Sequence, residues 1–397
     1  MLSALAGDRR RIADLDARIQ DLERALAVLR LEKAVVAERL DSYKYPILSL
    51  PTEIISEIFV HFLPTYPLCP PLTGIFSPTL LTHICHDWRE MALETPALWR
   101  AISLSWIHVR RPRRELSKAA AHSLRLARIE DMLTRSRSCP LSIQMNEWED
   151  EDTHESQNAE LLAAVLPHCA RWEYVTLHLS ENPLPSNPEP MSLLRQLDLW
   201  LYPNSSSATD VVFSGLPLLR TVILDDMAAL HVTLPWAQLT SLTLQRVYLH
   251  ECVPILQQTL NILHCQLELF LSELTDNIDI TLPRVRELTL KDPSVGSVKV
   301  NYLQAFIVPA LCTLEIPERF LGTAPIETLA AFISASGCEL QEIRVTEKRG
   351  RRGEVPTTSY RTAFPAIPIF SFDREDSNYE ESEEGDSRFR EYDSNSY

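Results

Sequence analysis

The sequence predicts a mixed α/β chain in four parts: a long N-terminal helix, a helical module, a solenoid with one parallel strand per repeat, and a disordered acidic tail. Three observations carry this expectation. Apolar residues follow a heptad period through the first forty residues. A nine-residue motif, with an apolar residue and Pro followed by apolar residues at the fourth, seventh and ninth places, occurs three times between Leu216 and Ile316. From Asp373 onward the chain holds ten acids against three arginines and almost nothing apolar. The boundaries fall at 1–45, 46–100, 101–347 and 348–397.

The first part has no proline, and its one glycine is Gly7. Leu5, Ile12, Ile19, Leu26 and Leu40 share one heptad position, and Leu15, Leu22, Leu29 and Val36 lie three residues later, with Asp8 and Lys33 as polar exceptions. This is the a/d seam of a coiled coil. Arg11 and Arg18 then occupy g, with Asp16 and Glu23 at e five residues on, so opposite charges meet across a parallel pair. Two readings stand: a homodimer through residues 1–45, or an amphipathic helix folded back on its own chain.

In the second part, Ser49 is a candidate helix cap, Pro51 suits a first turn, and Glu53 sits where the helix dipole favours an anion. Ile54, Ile55, Ile58, Phe59 and Phe62 follow at helical spacing until Pro64. Five prolines from Pro64 to Pro78 forbid regular structure in the loop. Leu80, Leu81, Ile84, Trp88 and Met91 then resume the helical period, which Thr95-Pro96 closes. The expectation is a helical hairpin with a short third element, too small to fold comfortably alone.

These residues resemble the F-box, a helical module of ubiquitin ligases. Leu50-Pro51 is similar to its Leu-Pro docking pair, Glu53-Ile54-Ile55 to its acidic-apolar step, Cys85-His-Asp-Trp88-Arg89 to its Cys-x-x-Trp-Arg, and Leu98-Trp99 to its closing pair. The loop from Pro64 to Pro78 is longer than in the compact version of the module. The resemblance implies docking onto a Skp-type adaptor and, through it, a cullin. It assigns that docking to Leu50, Pro51, Ile54, Ile55, Ile58, Cys85 and Trp88, with Arg89 at the rim. Without it, the same residues read as a plain helical hairpin with Trp88 and the isoleucines in its core.

A strand-like alternation starts at Trp99 to Leu104, a basic patch runs from Arg110 to Arg114, and a helical stretch spans His122 to Arg135 before Pro140. The repeats follow. Leu216 to Leu224, Leu282 to Leu290 and Val308 to Ile316 carry the full motif; Leu234 to Leu244 carries it with an insertion; Trp172 to Leu177, Leu194 to Leu199 and Leu340 to Val345 carry its second half; Leu260 to Leu267 fits loosely through Cys265. The closing apolar positions recur about every 20 to 29 residues, the leucine-rich repeat range. No such unit can bury its own face, so neighbours must stack. Helical returns are expected at Val253 to Leu260 and Ile326 to Ser334. The array resembles a degenerate leucine-rich repeat solenoid that lacks the regular Asn or Cys of strict members. A non-repeating α/β domain is the other reading.

A net charge of -16 argues against a nucleic-acid binder, which needs clustered Lys and Arg. The eight cysteines include no CxxC pair, the first residues lack a signal peptide, and no stretch holds eighteen apolar residues. These point to a reduced cytoplasmic or nuclear setting without a membrane, and Lys348 to Arg352 is a candidate nuclear signal. Nine glycines and no phosphate loop, nucleophile elbow or HExxH motif weaken every enzyme reading. His83, Cys85 and His86 lack a second ligand pair for a metal, His168-Cys169 lacks an activating neighbour, and Glu147 to Asp152 reads as a solvated acidic loop. The sequence therefore predicts no catalytic residue, cofactor or metal. The resulting expectation is a substrate receptor of a Skp, cullin and F-box ligase that holds an unidentified target on its repeats. The alternative is a coiled-coil and repeat scaffold with no ubiquitin role.

Overall fold

The computed structural model describes residues 2–41, 46–104, 118–146, 155–179, 184–186, 188–201, 210–272, 279–293, 299–348 and 356–374. The Arg110–Arg114 patch, the Glu147–Asp152 loop, most of the Lys348–Arg352 cluster and the acidic tail from 375 lie outside them. A mixed α/β architecture is observed, with one large parallel sheet. Helix α1 (Leu2–Asp41) stands apart: every one of its described side chains is exposed, so it does not fold back onto the described residues. No described helix is long and apolar enough to cross a membrane.

The sheet has eleven strands: β1 (Ala101–Ser103), β2 (Leu141–Asn146), β3 (Trp172–Leu179), β4 (Gln196–Leu201), β6 (Thr221–Asp225), β8 (Ser241–Val247), β9 (His264–Leu269), β11 (Glu287–Lys291), β13 (Thr313–Pro317), β14 (Glu342–Lys348) and β15 (Ile369–Arg374). Each pairs in parallel with the next in sequence, while β5 (Val211–Val212) pairs with β7 (Val232–Thr233) and β10 (Ile280–Thr281) with β12 (Phe306–Ile307) away from the main sheet. Register puts one buried apolar side chain from every strand in a single column: Ile102, Ile143, Val175, Leu197, Val222, Leu242, Cys265, Leu288, Leu314, Ile343 and Phe370. A one-residue slip in any strand would move its apolar set to the solvent face, so stacking and register enforce each other. Cys265, the loose fit in the motif, stands in this column, and burial pushes its thiol up to about 12. All eight cysteines are free.

The opening Leu or Val of each Leu-Pro motif (Leu216, Leu234, Leu282, Val308) is also buried. Where strict repeats would use a side-chain ladder, the main chain links the strand entries here. Arg220 N–H donates to Arg195 C=O, Thr240 to Arg220, Leu263 to Thr240, Arg286 to Leu263, Cys312 to Arg286 and Gln341 to Cys312. The array also runs past its expected end. Helix α10 (Thr357–Ala363) and β15 continue it, with Tyr360 fully buried and its hydroxyl donating to Glu318 at 2.8 Å. The disordered tail expected from 348 is thus corrected over 356–374, where Tyr360, Phe364, Phe370 and Phe372 stack into an aromatic end cap. Terminal repeats need such a cover for their open apolar face.

Residues 46–100 form α2 (Thr52–Phe62), α3 (Pro78–Leu81), α4 (His86–Glu94) and two short 3-10 turns, Pro46–Ser49 and Pro96–Trp99. Two local expectations are corrected. Pro51, not Ser49, occupies the cap position of α2, since its ring sets φ at -54° and no side chain caps the helix. The second helix is broken in two: Ser77 caps α3 through Thr79 N–H, and Cys85 is extended before α4. Between the returns, α8 (Leu249–Leu256) starts earlier than Val253 because the Glu251 carboxylate accepts from Tyr248 N–H at 2.9 Å, and α9 (Pro325–Ser336) ends on Gly337 in the left-handed region.

The long Pro64 to Pro78 loop is a strap onto the sheet. Tyr66 donates its hydroxyl to Glu173 at 3.0 Å, sits edge-on to Tyr174 and lies beneath the Arg100 guanidinium at 3.8 Å; the Ser142 hydroxyl donates to Pro67 C=O at 2.6 Å. The helical module is thereby fixed to β2 and β3. Tyr66→Phe deletes one charge-assisted hydrogen bond and should lower unfolding stability by about 1 to 2 kcal/mol in urea titrations.

Candidate functional site

Helix α2 separates its isoleucines by face. Ile55 and Phe59 are 1% exposed and Phe59 packs on Trp88 at 4.8 Å between centroids, whereas Ile54 and Ile58 are 50% and 41% exposed. With Leu50 at 41% and the exposed Pro51, they form an apolar strip along the outer side of α2. Contiguous exposed apolar surface of this kind makes the strip a candidate interaction site. Of the residues assigned to docking on sequence, the structure brings Leu50, Pro51, Ile54 and Ile58 together on this face. Ile55 is placed inside the core of the chain, and Trp88 is half-buried beneath α2. Both frame the surface instead of forming it. Cys85 is half-buried at the extended residue before α4, and Arg89 is exposed and lines a cavity toward the next helix, α5 (Lys118–Arg135).

The strip continues where sequence reasoning did not follow it. Phe62 lies one turn beyond Ile58 and meets the Phe76 ring at 5.7 Å. Phe76 is 53% exposed with φ of +65°, a left-handed backbone that bulky residues seldom adopt. Ile75, Leu80 and Ile84 are exposed nearby in sequence, at 72%, 38% and 54%. A positive φ at a Phe leaves no mark in a sequence. Phe62 already belongs to the helical period, four residues after Ile58, but the docking assignment stops at Ile58.

A second constellation lies on the open face of the sheet. The side chains facing away from the core are polar along most of one row: Thr176, Asp198, Thr243, Gln266, Thr289 and Glu315 are half-buried in register, with Ile223 the apolar exception. An aromatic and cationic cluster lies two residues further along the strands. His178 stacks on Trp200 at 4.6 Å, the Arg246 guanidinium lies 4.9 Å from the Trp200 ring, and Arg246 approaches Asp225 at 3.8 Å. Arg246 reaches that position because β8 carries an irregular register between Leu244 and Val247, with Arg246 at φ +56°. Bulges of this kind re-aim side chains, often beside functional surfaces.

Asp225 is fully buried and accepts from Leu201 N–H and, as the cap of helix α7 (Asp226–His231), from Ala228 N–H at 2.9 Å. Burial pushes its carboxyl up to about 6, against the pull of these donors. The folded chain therefore binds this proton more tightly than the unfolded chain does. The stabilisation is fully present below about pH 4 and is lost as pH rises through 6, by about 3 kcal/mol at most. Asp225→Asn keeps an acceptor but cannot ionise, so its urea midpoint should overtake the wild type's above pH 6 and not at pH 4.

The Cys169 thiol, considered as a nucleophile, is buried and pushed up by desolvation, and no group of three His, Cys, Asp or Glu among the described residues could hold a metal ion. No family model and no curated protein matches the chain.

Proposed function

We propose that the chain is an F-box substrate receptor, which docks a Skp-type adaptor and its cullin through Leu50, Pro51, Ile54 and Ile58 and holds a target protein on the open face of a leucine-rich-repeat-like solenoid. The observation that carries this reading is the division of α2: one face is buried against Trp88, and the other is left apolar and open where the F-box resemblance assigns docking. The chain does no bond chemistry in this role. Its effect is proximity, since a target fixed beside the ligase sees a raised effective concentration of activated ubiquitin. That effect needs a rigid link between the two surfaces, and the Tyr66 strap supplies one. Cytoplasmic or nuclear residence follows from the same role.

The test is direct binding of the purified chain to a purified Skp-type adaptor, followed by assembly with the cullin. A specific, saturable complex is expected. Absence of binding by the folded chain overturns the reading and leaves the scaffold alternative, which the exposed seam of α1 favours independently.

A further inference from the structure

The strap between α2 and α3 carries apolar surface at its tip, where Ile75 and Phe76 are both exposed. The tip is held in one shape. Ser77 is fully buried; its N–H donates to Gly74 C=O at 3.2 Å, and its hydroxyl donates to Leu72 C=O at 3.1 Å and accepts from Thr79 N–H at 3.2 Å. These bonds close a turn in which Gly74 and Phe76 both take positive φ, +92° and +65°. Glycine adopts such a backbone freely, whereas for phenylalanine it is strained. Strain of this kind persists only where the surrounding structure enforces it, and it clusters at functional surfaces. Composition points the same way. Residues 58–86 contain no Asp, Glu, Lys or Arg, in a chain where these make up 23%. Depletion of charge with retention of aromatic residues is the compositional mark of an interface core. The tip is also continuous with the docking strip: Ile54, Ile58 and Phe62 follow at four-residue steps on one face of α2, and the Phe62 ring meets Phe76 at 5.7 Å.

We infer that Ile75 and Phe76 form a second anchor for the Skp-type adaptor, seated in an apolar pocket of that partner beside the α2 strip. The inference rests on the docking reading proposed above and adds to it. None of the residues that carry the F-box resemblance lies between Ile55 and Cys85, so the contact belongs to this chain's lengthened loop and not to the motif. Continuity selects the occupant: a partner that covers Ile54 and Ile58 meets Phe76 next, across Phe62. A preformed tip loses little conformational freedom on binding, so more of the apolar surface it buries is kept as affinity. An aromatic ring presented on a fixed turn is the kind of side chain that dominates such contacts.

The test uses the full chain, the purified adaptor and the double variant Ile75→Ser with Phe76→Asn. Asparagine takes positive φ more readily than phenylalanine, and Ile75 is 72% exposed, so thermal stability should not fall. Adaptor affinity in calorimetric titration should drop at least about tenfold. Ile75→Ser alone decides the case in which Phe76→Asn loosens the turn: it should weaken binding at least about threefold at unchanged stability, and wild-type affinity there overturns the inference. If the wild-type chain binds the adaptor and the double variant binds it equally well, the inference is overturned and the α2 assignment stands. A wild-type chain that does not bind overturns both. Light scattering without adaptor is the last arm: self-association that the double variant loses assigns the tip to a second copy of the chain, which also overturns the inference.

Discussion

Ile54→Asp combined with Ile58→Asp should cut affinity for the Skp-type adaptor at least about a hundredfold while the chain stays folded. Each isoleucine is about half exposed in the free chain, so docking would bury the remaining apolar surface at roughly 25 cal/mol per Å². The introduced carboxylates would be desolvated without a partner, which adds to the loss. Ile55→Ala should behave in the opposite way. Its side chain is 1% exposed against the module's core, so truncation leaves a cavity and should cost about 2 to 5 kcal/mol of stability. Affinity measured under folding conditions should then change little. Calorimetric titration with purified adaptor, paired with urea unfolding of each variant, separates the two effects. Wild-type affinity in the folded double aspartate variant would remove α2 from the docking surface.

The contrast between Ile54 and Ile55 locates the limit of sequence reading. Helical period identifies α2 and its apolar content, but Ile54, Ile55, Ile58 and Phe59 cover two adjoining stripes, and period alone does not say which stripe meets the core. That choice is made by Trp88 of α4, whose ring packs on Phe59 and so turns the stripe of Ile55 and Phe59 inward. The same reason explains the broken second helix. Leu80, Leu81, Ile84 and Trp88 keep a helical period, yet Cys85 is extended, because the cap at Ser77 and the strap set a chain direction that no local pattern encodes.

The repeat strands were more legible. Every motif segment from Trp172 to Val345 is a strand of the sheet, since the pattern of buried positions is itself the condition for stacking. The last strand is less so. β15 has only Ile369, Phe370 and Phe372 as apolar residues and follows three prolines, so it reads as tail until β14 supplies its pairing partner. The His178, Trp200 and Arg246 cluster was invisible for a different reason. Its members lie 22 and 46 residues apart and meet only through strand register and the left-handed backbone at Arg246.

Leu22→Asp with Leu29→Asp should convert the chain from a dimer to a monomer and melt much of α1. Every described side chain of this forty-residue helix is exposed, so it gains no packing from the other described residues, and most helical stability in proteins comes from such packing. Its a and d residues, Ile12, Leu15, Ile19, Leu22, Leu26, Leu29, Val36 and Leu40, are all 47 to 71% exposed, a seam that a second copy would cover knob into hole. Arg11 and Arg18 at g would then face Asp16 and Glu23 of the partner helix. Light scattering should give about twice 45.2 kDa for the wild type and 45.2 kDa for the variant, with a fall in helical ellipticity. A further stripe sharpens the test. Val28, Leu31 and Val35 are 58%, 70% and 51% exposed on the side of α1 opposite the seam. In a two-stranded coil these stay in solvent, so Val28→Glu with Leu31→Glu should leave the dimer intact. Dissociation in that variant would mean that the second stripe is buried as well, and that more than two helices assemble.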